Sequence, residues 1–295
     1  MNTLYRAAQL VRLIILEGKI LHGGHYIPDV RRQALQDLHQ FCPLPNGNTN
    51  KHFIPEWPWL RYWLGQLAFF KNAFKRQGGH LSAPAVRLCY IRNPKAASTA
   101  LSYLMLSANY QELKHFSITR EKINFLTDVN LNRQLSAVDR KALFFTVVRN
   151  PFARIVSAYR QFFEQQQDLL IYEDYLFGVL RSYHSFKDFL NIIKLIPDIL
   201  KDQHLKPQHT FLTFYERQGI EVKILKLEER DTVEEFFYAY GLTLKPLNQS
   251  DAYDYRAYYD EDTLKLVHQL YDEDIRRFGY ESDAEGLRLA VQSRG

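Results

Sequence analysis

The sequence predicts an α/β protein: a central parallel sheet flanked by helices, with a helical N-terminal segment added to it. Three apolar runs, each followed by a helical pattern, carry the prediction. The first is VRLCYI (86–91), bounded by Pro84 and Pro94 as a buried strand would be. A helix is expected after it from Ser98 to about Ala108. The second is ALFFTVV, Ala142 to Val148, which runs into a helix opened by Pro151. Proline suits the first helical position because the N–H it lacks would have no partner there. The third is EVKILKL, Glu221 to Leu227. Two helical patterns come after it, TVEEFFYAYG and DTLKLVHQLYDEDIRRFG, with Gly241 and Gly279 as their stops.

Residues 1 to about 80 have a different rhythm. Pro/Gly punctuation (HGGHYIPDV, CPLPNGNTN, PEWPW, RQGGHLSAP) separates two helical patterns, RRQALQDLHQF and WLRYWLGQLAFFKNAFKRQ. The chain therefore divides into a helical extension, 1–80, packed on an α/β domain, 81–295. Its 295 residues, 46% of them hydrophobic, suffice for a large core, and 14% aromatic content excludes a disordered chain. A net charge of +5 suits an anionic ligand, a nucleic acid or a membrane surface without choosing among them. Of the two cysteines, Cys42 and Cys89, the second lies inside an apolar run and reads as a core thiol. No Cys/His spacing resembles a zinc site, so no metal is expected.

The joint after the first strand, RNPKAASTAL (92–101), has the composition of an anion cradle. A strand that opens a helix through a tight loop exposes backbone N–H groups at the positive end of the helix dipole. Ala96 and Ala97 are small enough to let an anion approach, Ser98 and Thr99 add hydroxyls, and Lys95 adds a mobile charge. The alternative is an ordinary turn with Ser98 as N-cap. The joint after the second strand repeats the geometry. Arg149 ends the strand, and Phe152, Ile155, Val156, Tyr159 and Phe163 form a buried stripe on the helix. Ser157 falls off that stripe, eight residues after Arg149, and a guanidinium with a hydroxyl can hold phosphate oxygens. Two such joints on one sheet suggest a ligand with phosphates at two separated positions.

Together the motifs carry a resemblance. RNPKAASTAL resembles the 5′-phosphosulfate loop of sulfotransferases that use 3′-phosphoadenosine 5′-phosphosulfate (PAPS), and VVRNPFARIVSAYR resembles their 3′-phosphate motif. The carbohydrate sulfotransferases of the chondroitin and dermatan type, and their bacterial relatives, are the most similar. DQHLKPQ (202–208) and YRAYYDEDTLKLVHQLYDEDIRRFGY are similar to later segments of such domains, so the likeness covers about 86–280. It implies a P-loop-like three-layer fold and sulfuryl transfer from PAPS to a carbohydrate hydroxyl, leaving adenosine 3′,5′-bisphosphate. By the same resemblance Lys95 contacts the bridging oxygen, Ala96 to Thr99 line the 5′-phosphate, Arg149 and Ser157 hold the 3′-phosphate, and Arg256 adds a contact. A hydroxyl acceptor needs a general base. His204 is the first candidate and Glu112 and His115 are its alternatives; a structural histidine at 204 is an equal reading. His22, His25, His39, His52 and His80 read as surface or packing residues.

Two rival classes stand beside this one. A P-loop-like nucleotide kinase would need Walker glycines and magnesium carboxylates, which the motifs lack. A polyanion-binding protein without chemistry would not concentrate its small residues and cations at two strand ends. No nucleic acid is expected as partner. No run approaches the ~20 apolar residues of a membrane span, which suggests a cytoplasmic, bacterial enzyme, with peripheral contact at the inner membrane face left open.

Overall fold

A computed structural model describes residues 78–110, 113, 118–164, 180, 185–244 and 253–294. The helices expected before residue 78 lie outside these residues, as do Glu112 and His115. The described chain runs β1 (His80–Ala83), β2 (Leu88–Ile91), α1 (Ser98–Asn109), α2 (Arg120–Asn130), β3 (Leu143–Val148) and α3 (Pro151–Tyr159). A π-helical turn, Arg160–Glu164, continues α3. Then come α4 (Phe186–Leu195), α5 (Thr213–Arg217), β4 (Val222–Lys226), α6 (Arg230–Tyr238), α7 (Glu261–Arg277) and α8 (Glu281–Gln292).

The four strands form one sheet in the order β1-β2-β3-β4. β2, β3 and β4 are parallel, with Leu88 opposite Leu143 and Val148 opposite Lys226. Every residue of β2 is buried, and so is β3 after Leu143, which is why both read as continuous apolar runs rather than alternating ones. Side chains still alternate between faces. Cys89, Ile91, Phe144 and Val148 join α3, α4 and α7 in one core. Leu88, Tyr90, Phe145 and Val147 join Leu101, Leu104 and Met105 of α1 and Val233 and Phe237 of α6 in the other. Helices thus cover both faces of the sheet.

The three expected strands and the helices after them are present within two or three residues of the expected ends. Gly241 and Gly279 do end α6 and α7, both at positive φ, 68° and 67°. The Tyr280 N–H closes the second end on the Ile275 carbonyl at 2.8 Å. Two expectations need correction. The sheet is not wholly parallel, because β1 is an antiparallel edge strand, pairing His80 with Ile91 and Ala83 with Leu88. It lies in RQGGHLSAP, where flanking Gly and Pro masked a four-residue strand. Its side chains explain the disguise: Leu81 and Ala83 enter one core, while His80 and Ser82 face a buried polar cluster. Helices α2, α4, α5 and α8 were also not anticipated.

That cluster ties the edge strand down. Ser82 Oγ donates to Asp139 Oδ1 at 2.5 Å, the Ser136 N–H donates to Oδ2 at 2.8 Å, and His80 Nε2 lies 3.3 Å from the same carboxylate. His80 Nδ1 meets the Tyr215 hydroxyl at 3.1 Å. His80 is therefore a packing residue, as expected. Cys89 is buried as expected, and burial pushes its thiol up to about 12. Burial would also raise the Asp139 carboxyl, but the hydrogen bonds from Ser82 and Ser136 and the nearby His80 outweigh it and hold the group at about 2. A depressed carboxyl stabilises the fold above its unfolded value and loses that contribution as pH falls through its folded value. Asp139→Asn is expected to cost about 1–3 kcal/mol near neutral pH and to flatten the stability curve between about pH 4 and 2, read by urea unfolding across that range.

Candidate functional site

The loop after β2 is set by backbone rather than by glycine. Lys95 and Ala97 both take left-handed conformations, at φ 69° and 55°. Such conformations cost a residue with a Cβ on the order of 1 kcal/mol or more, and they gather where a backbone concavity is needed. Ala97, not Ser98, is the N-cap of α1, and no side chain caps the first turn. The alternative of a serine-capped ordinary turn is thereby corrected: Ser98 and Thr99 are the first two helical residues, half-buried, and Ala96 is fully buried beneath them. The opening amides of α1 point out of the helix with no partner inside it.

The loop after β3 begins at Arg149. Asn150 caps α3 through its side-chain oxygen, which accepts from the Phe152 and Ala153 N–H groups at 3.0 and 3.4 Å. Arg149 turns back toward the first loop, its Nη1 donating to the Lys95 carbonyl at 3.3 Å. Its Nη2 donates to the Tyr253 hydroxyl at 3.4 Å. The two cationic joints are therefore neighbours at the same end of the parallel sheet. Ser157 is half-exposed on an otherwise buried stretch of α3, off the stripe as its spacing implied. The π turn then adds one residue to the helical period and so re-aims the side chains of residues 161 and 162. Gln161 Oε1 accepts from the Lys95 amine at 2.5 Å, and the Phe162 ring lies 6.0 Å from that amine.

Buried hydrogen bonds fix these loops to one another. The Gln208 amide accepts from the Arg149 N–H at 2.9 Å and from Asn93 Nδ2 at 3.0 Å, and donates to the Arg149 carbonyl at 2.8 Å. Asn93 also donates to the Val147 carbonyl at 3.0 Å. Arg154, 1% exposed, spends its guanidinium on three backbone carbonyls: Pro94 at 3.0 Å, Lys206 at 2.9 Å and Gln203 at 3.2 Å. Helix α7 completes the frame. It is broken at Tyr271 (φ −130°), whose hydroxyl donates to the Leu205 carbonyl at 2.8 Å. One turn on, the fully buried Asp274 carboxylate accepts from the Gln208 and His209 N–H groups at 2.6 and 2.9 Å.

His204 stands in the segment so framed. Its Nδ1 donates to Asp202 Oδ1 at 2.6 Å and its ring meets Phe162 edge-on at 5.1 Å. Burial would raise the Asp202 carboxyl, but the His204 ring and amide beside it outweigh that and hold it below the usual carboxylate value. An ionised Asp202 fixes the proton on Nδ1 and leaves Nε2 as the acceptor. Phe162 thus neighbours both the Lys95 amine and the His204 ring.

A family model described as sulfotransferase family matches residues 81–281. This chain belongs to the sulfotransferase family. No curated protein and no solved structure matched it. The matched stretch begins in β1, takes in all four strands and ends at the first residue of α8. The family places the chain among transferases and sulfuryl transfer among its chemistries.

Of the residues expected from the sequence, Lys95, Ala96, Ala97, Ser98, Thr99 and Arg149 come together around the two loops, with Ser157 on the helix that the second loop opens. His204 joins them through Phe162. Arg256 is exposed, and no described contact links it to Arg149. It lines a groove of about 470 Å³ with Asp283 and Arg294, while Tyr253, three residues earlier, reaches Arg149 instead. Among the described residues, no helix is long and apolar enough to cross a membrane. His80, Cys89 and Asp139 hold donor atoms within 4.8 Å of one another, a convergence of metal-ligand types that chain spacing did not suggest. The framing residues Asn93, Arg154, Gln161, Phe162, Gln208 and Asp274 were missed. Arg154 and Gln208 stand inside motifs already singled out, so a charged residue within a largely apolar helix and an amide ending a motif were the available signals. Gln208→Ala, which leaves the Arg149 N–H and Asn93 amide without their buried partner, is expected to lower unfolding free energy by about 1–3 kcal/mol in urea titrations. A loss below about 0.5 kcal/mol would contradict the framing role.

Proposed function

We propose that this sulfotransferase moves a sulfuryl group from PAPS to a hydroxyl of a carbohydrate acceptor, within a P-loop-like three-layer domain. The observation that carries the reading is the bond from Arg149 Nη1 to the Lys95 carbonyl, 3.3 Å long. It brings two cationic joints within reach of the two ends of one doubly phosphorylated adenosine. The first-turn amides of α1, with Ser98 and Thr99, take the 5′-phosphosulfate, and Arg149 with Ser157 takes the 3′-phosphate.

The chemistry is an in-line displacement. The acceptor oxygen forms a bond to sulfur as the bond from sulfur to the 5′-phosphate oxygen breaks, and adenosine 3′,5′-bisphosphate leaves. Charge builds on the departing oxygen, and the Lys95 ammonium neutralises it. Gln161 holds that ammonium at 2.5 Å and keeps it at the loop before charge develops. The proton of the acceptor hydroxyl passes to Nε2 of His204, the imidazolium being stabilised by the ionised Asp202 at 2.6 Å. Glu112 and His115 remain alternatives for the base. The mildly basic charge of the chain and its aromatic content suit a sugar polymer or glycan bearing acidic groups, and a cytoplasmic location, at or near the inner membrane face, accords with the sequence.

Transfer of radiolabelled sulfonate from PAPS, screened over polysaccharide, glycan and glycolipid acceptors, tests the reading. Lys95→Ala is expected to lower turnover about 10²- to 10³-fold, and His204→Ala about 10²- to 10⁴-fold, with donor binding retained by the second. Labelled product with no dependence on Lys95, or phosphoryl transfer from ATP with magnesium in its place, would overturn it.

A further inference from the structure

The π turn after α3 presents one cation that the motifs above leave unused. Arg160 comes three residues after Ser157, one helical turn on, and both are only half-buried, whereas every other residue of α3 is buried. The Arg160 guanidinium lies 3.9 Å above the Tyr253 ring, and the hydroxyl of that same tyrosine accepts from Arg149 Nη2 at 3.4 Å. Tyr253 is thus a shared platform for two guanidiniums that belong to different turns of the chain.

The fork of Arg160 is held by one edge. Its Nε donates to Glu164 Oε2 at 3.1 Å, and Glu164 is itself fixed by the Tyr258 hydroxyl, which donates to both carboxylate oxygens at 2.8 and 2.9 Å. Burial and the adjacent Glu164 push the Tyr258 phenol up to about 12, so it remains a neutral donor. On the other edge, one nitrogen has no such use. Arg160 Nη1 is buried and meets no acceptor among the described residues, although the side chain as a whole is 16% exposed. A buried guanidinium N–H without an acceptor is a costly arrangement, and an anion placed there would remove the cost. Planar, always charged and stacked on an aromatic face, arginine is suited to phosphate. With Arg149 and Arg160 against the single carboxylate of Glu164, the local charge is positive.

We infer that Arg160 is the second guanidinium of the 3′-phosphate pocket, and that with Arg149 it makes the pocket select a terminal phosphate over a hydroxyl. The inference rests on the PAPS reading above and deepens it. Glu164 and Tyr258 act as positioning residues: they fix the Nε edge so that the Nη edge faces the ligand. Tyr253 carries both forks and sets their spacing.

The test is calorimetric titration of the full chain with adenosine 3′,5′-bisphosphate and with adenosine 5′-monophosphate, which lacks the 3′-phosphate. Wild type is expected to prefer the bisphosphate. Arg160→Ala is expected to weaken the bisphosphate about 10- to 100-fold, the worth of a charge-assisted pair, while leaving the monophosphate unchanged. Arg160→Lys keeps the charge and the aliphatic stem, guards against a folding defect, and is expected to recover only part of the preference. Equal weakening of both nucleotides, or none, in both variants would overturn the role of Arg160 while leaving the donor reading intact. Absence of any bisphosphate preference in wild type would instead overturn the donor reading, and the inference with it.

Discussion

The site depends on buried hydrogen bonds that hold two strand-end loops at a fixed spacing. The Gln208 amide joins Asn93, from the loop after β2, to the backbone of Arg149, from the loop after β3. Arg154 repeats the link from another direction, from Pro94 to the 203–206 backbone. Backbone polar groups buried at strand ends must find partners, and here one amide and one guanidinium supply them. The same bonds set where Lys95 and Arg149 stand. Any anion that spans the two loops meets cations already in place, so little ordering cost falls on binding.

Local strain is concentrated in the same place. Lys95 and Ala97 adopt left-handed backbone without being glycine, and the helix after Arg149 loosens into a π turn. The first device turns amides toward the concavity; the second turns Gln161 and Phe162 toward Lys95. Both are local costs that surrounding packing must over-determine. That packing is dense: Phe152, Ile155 and Phe162 are fully buried, and Tyr259 donates from its hydroxyl to the Phe152 carbonyl at 2.9 Å. Phe152, Phe162 and Tyr259 thus serve the frame.

The strands were legible because parallel strands covered on both faces must be apolar throughout, and β2 and β3 are. The position of Ser157 off the buried stripe was legible from its spacing, whereas Arg154, also off the stripe, is buried. The helix stops were legible because positive φ favours glycine. β1 was not legible: its polar–apolar alternation runs over only four residues between flanking Gly and Pro, too short to stand out as a period. Nor was the cap at Ala97, because a left-handed alanine has no sequence signature. Gln208 and Arg154 were hidden for a related reason. Their partners are mainly backbone atoms, 49 to 60 residues distant in the chain, and backbone contacts leave no residue-type pattern to read. Arg256, given a nucleotide contact by likeness, lies exposed on a groove with Asp283 and Arg294, and the residue of that segment in contact with Arg149 is Tyr253.

The most direct test of the account is a crystal structure with adenosine 3′,5′-bisphosphate bound. The account predicts the 5′-phosphate on the amides that open α1, within hydrogen-bond reach of Lys95, and the 3′-phosphate between Arg149 and Ser157. A nucleotide bound with its two phosphates away from these loops, or with both on one loop alone, would contradict it.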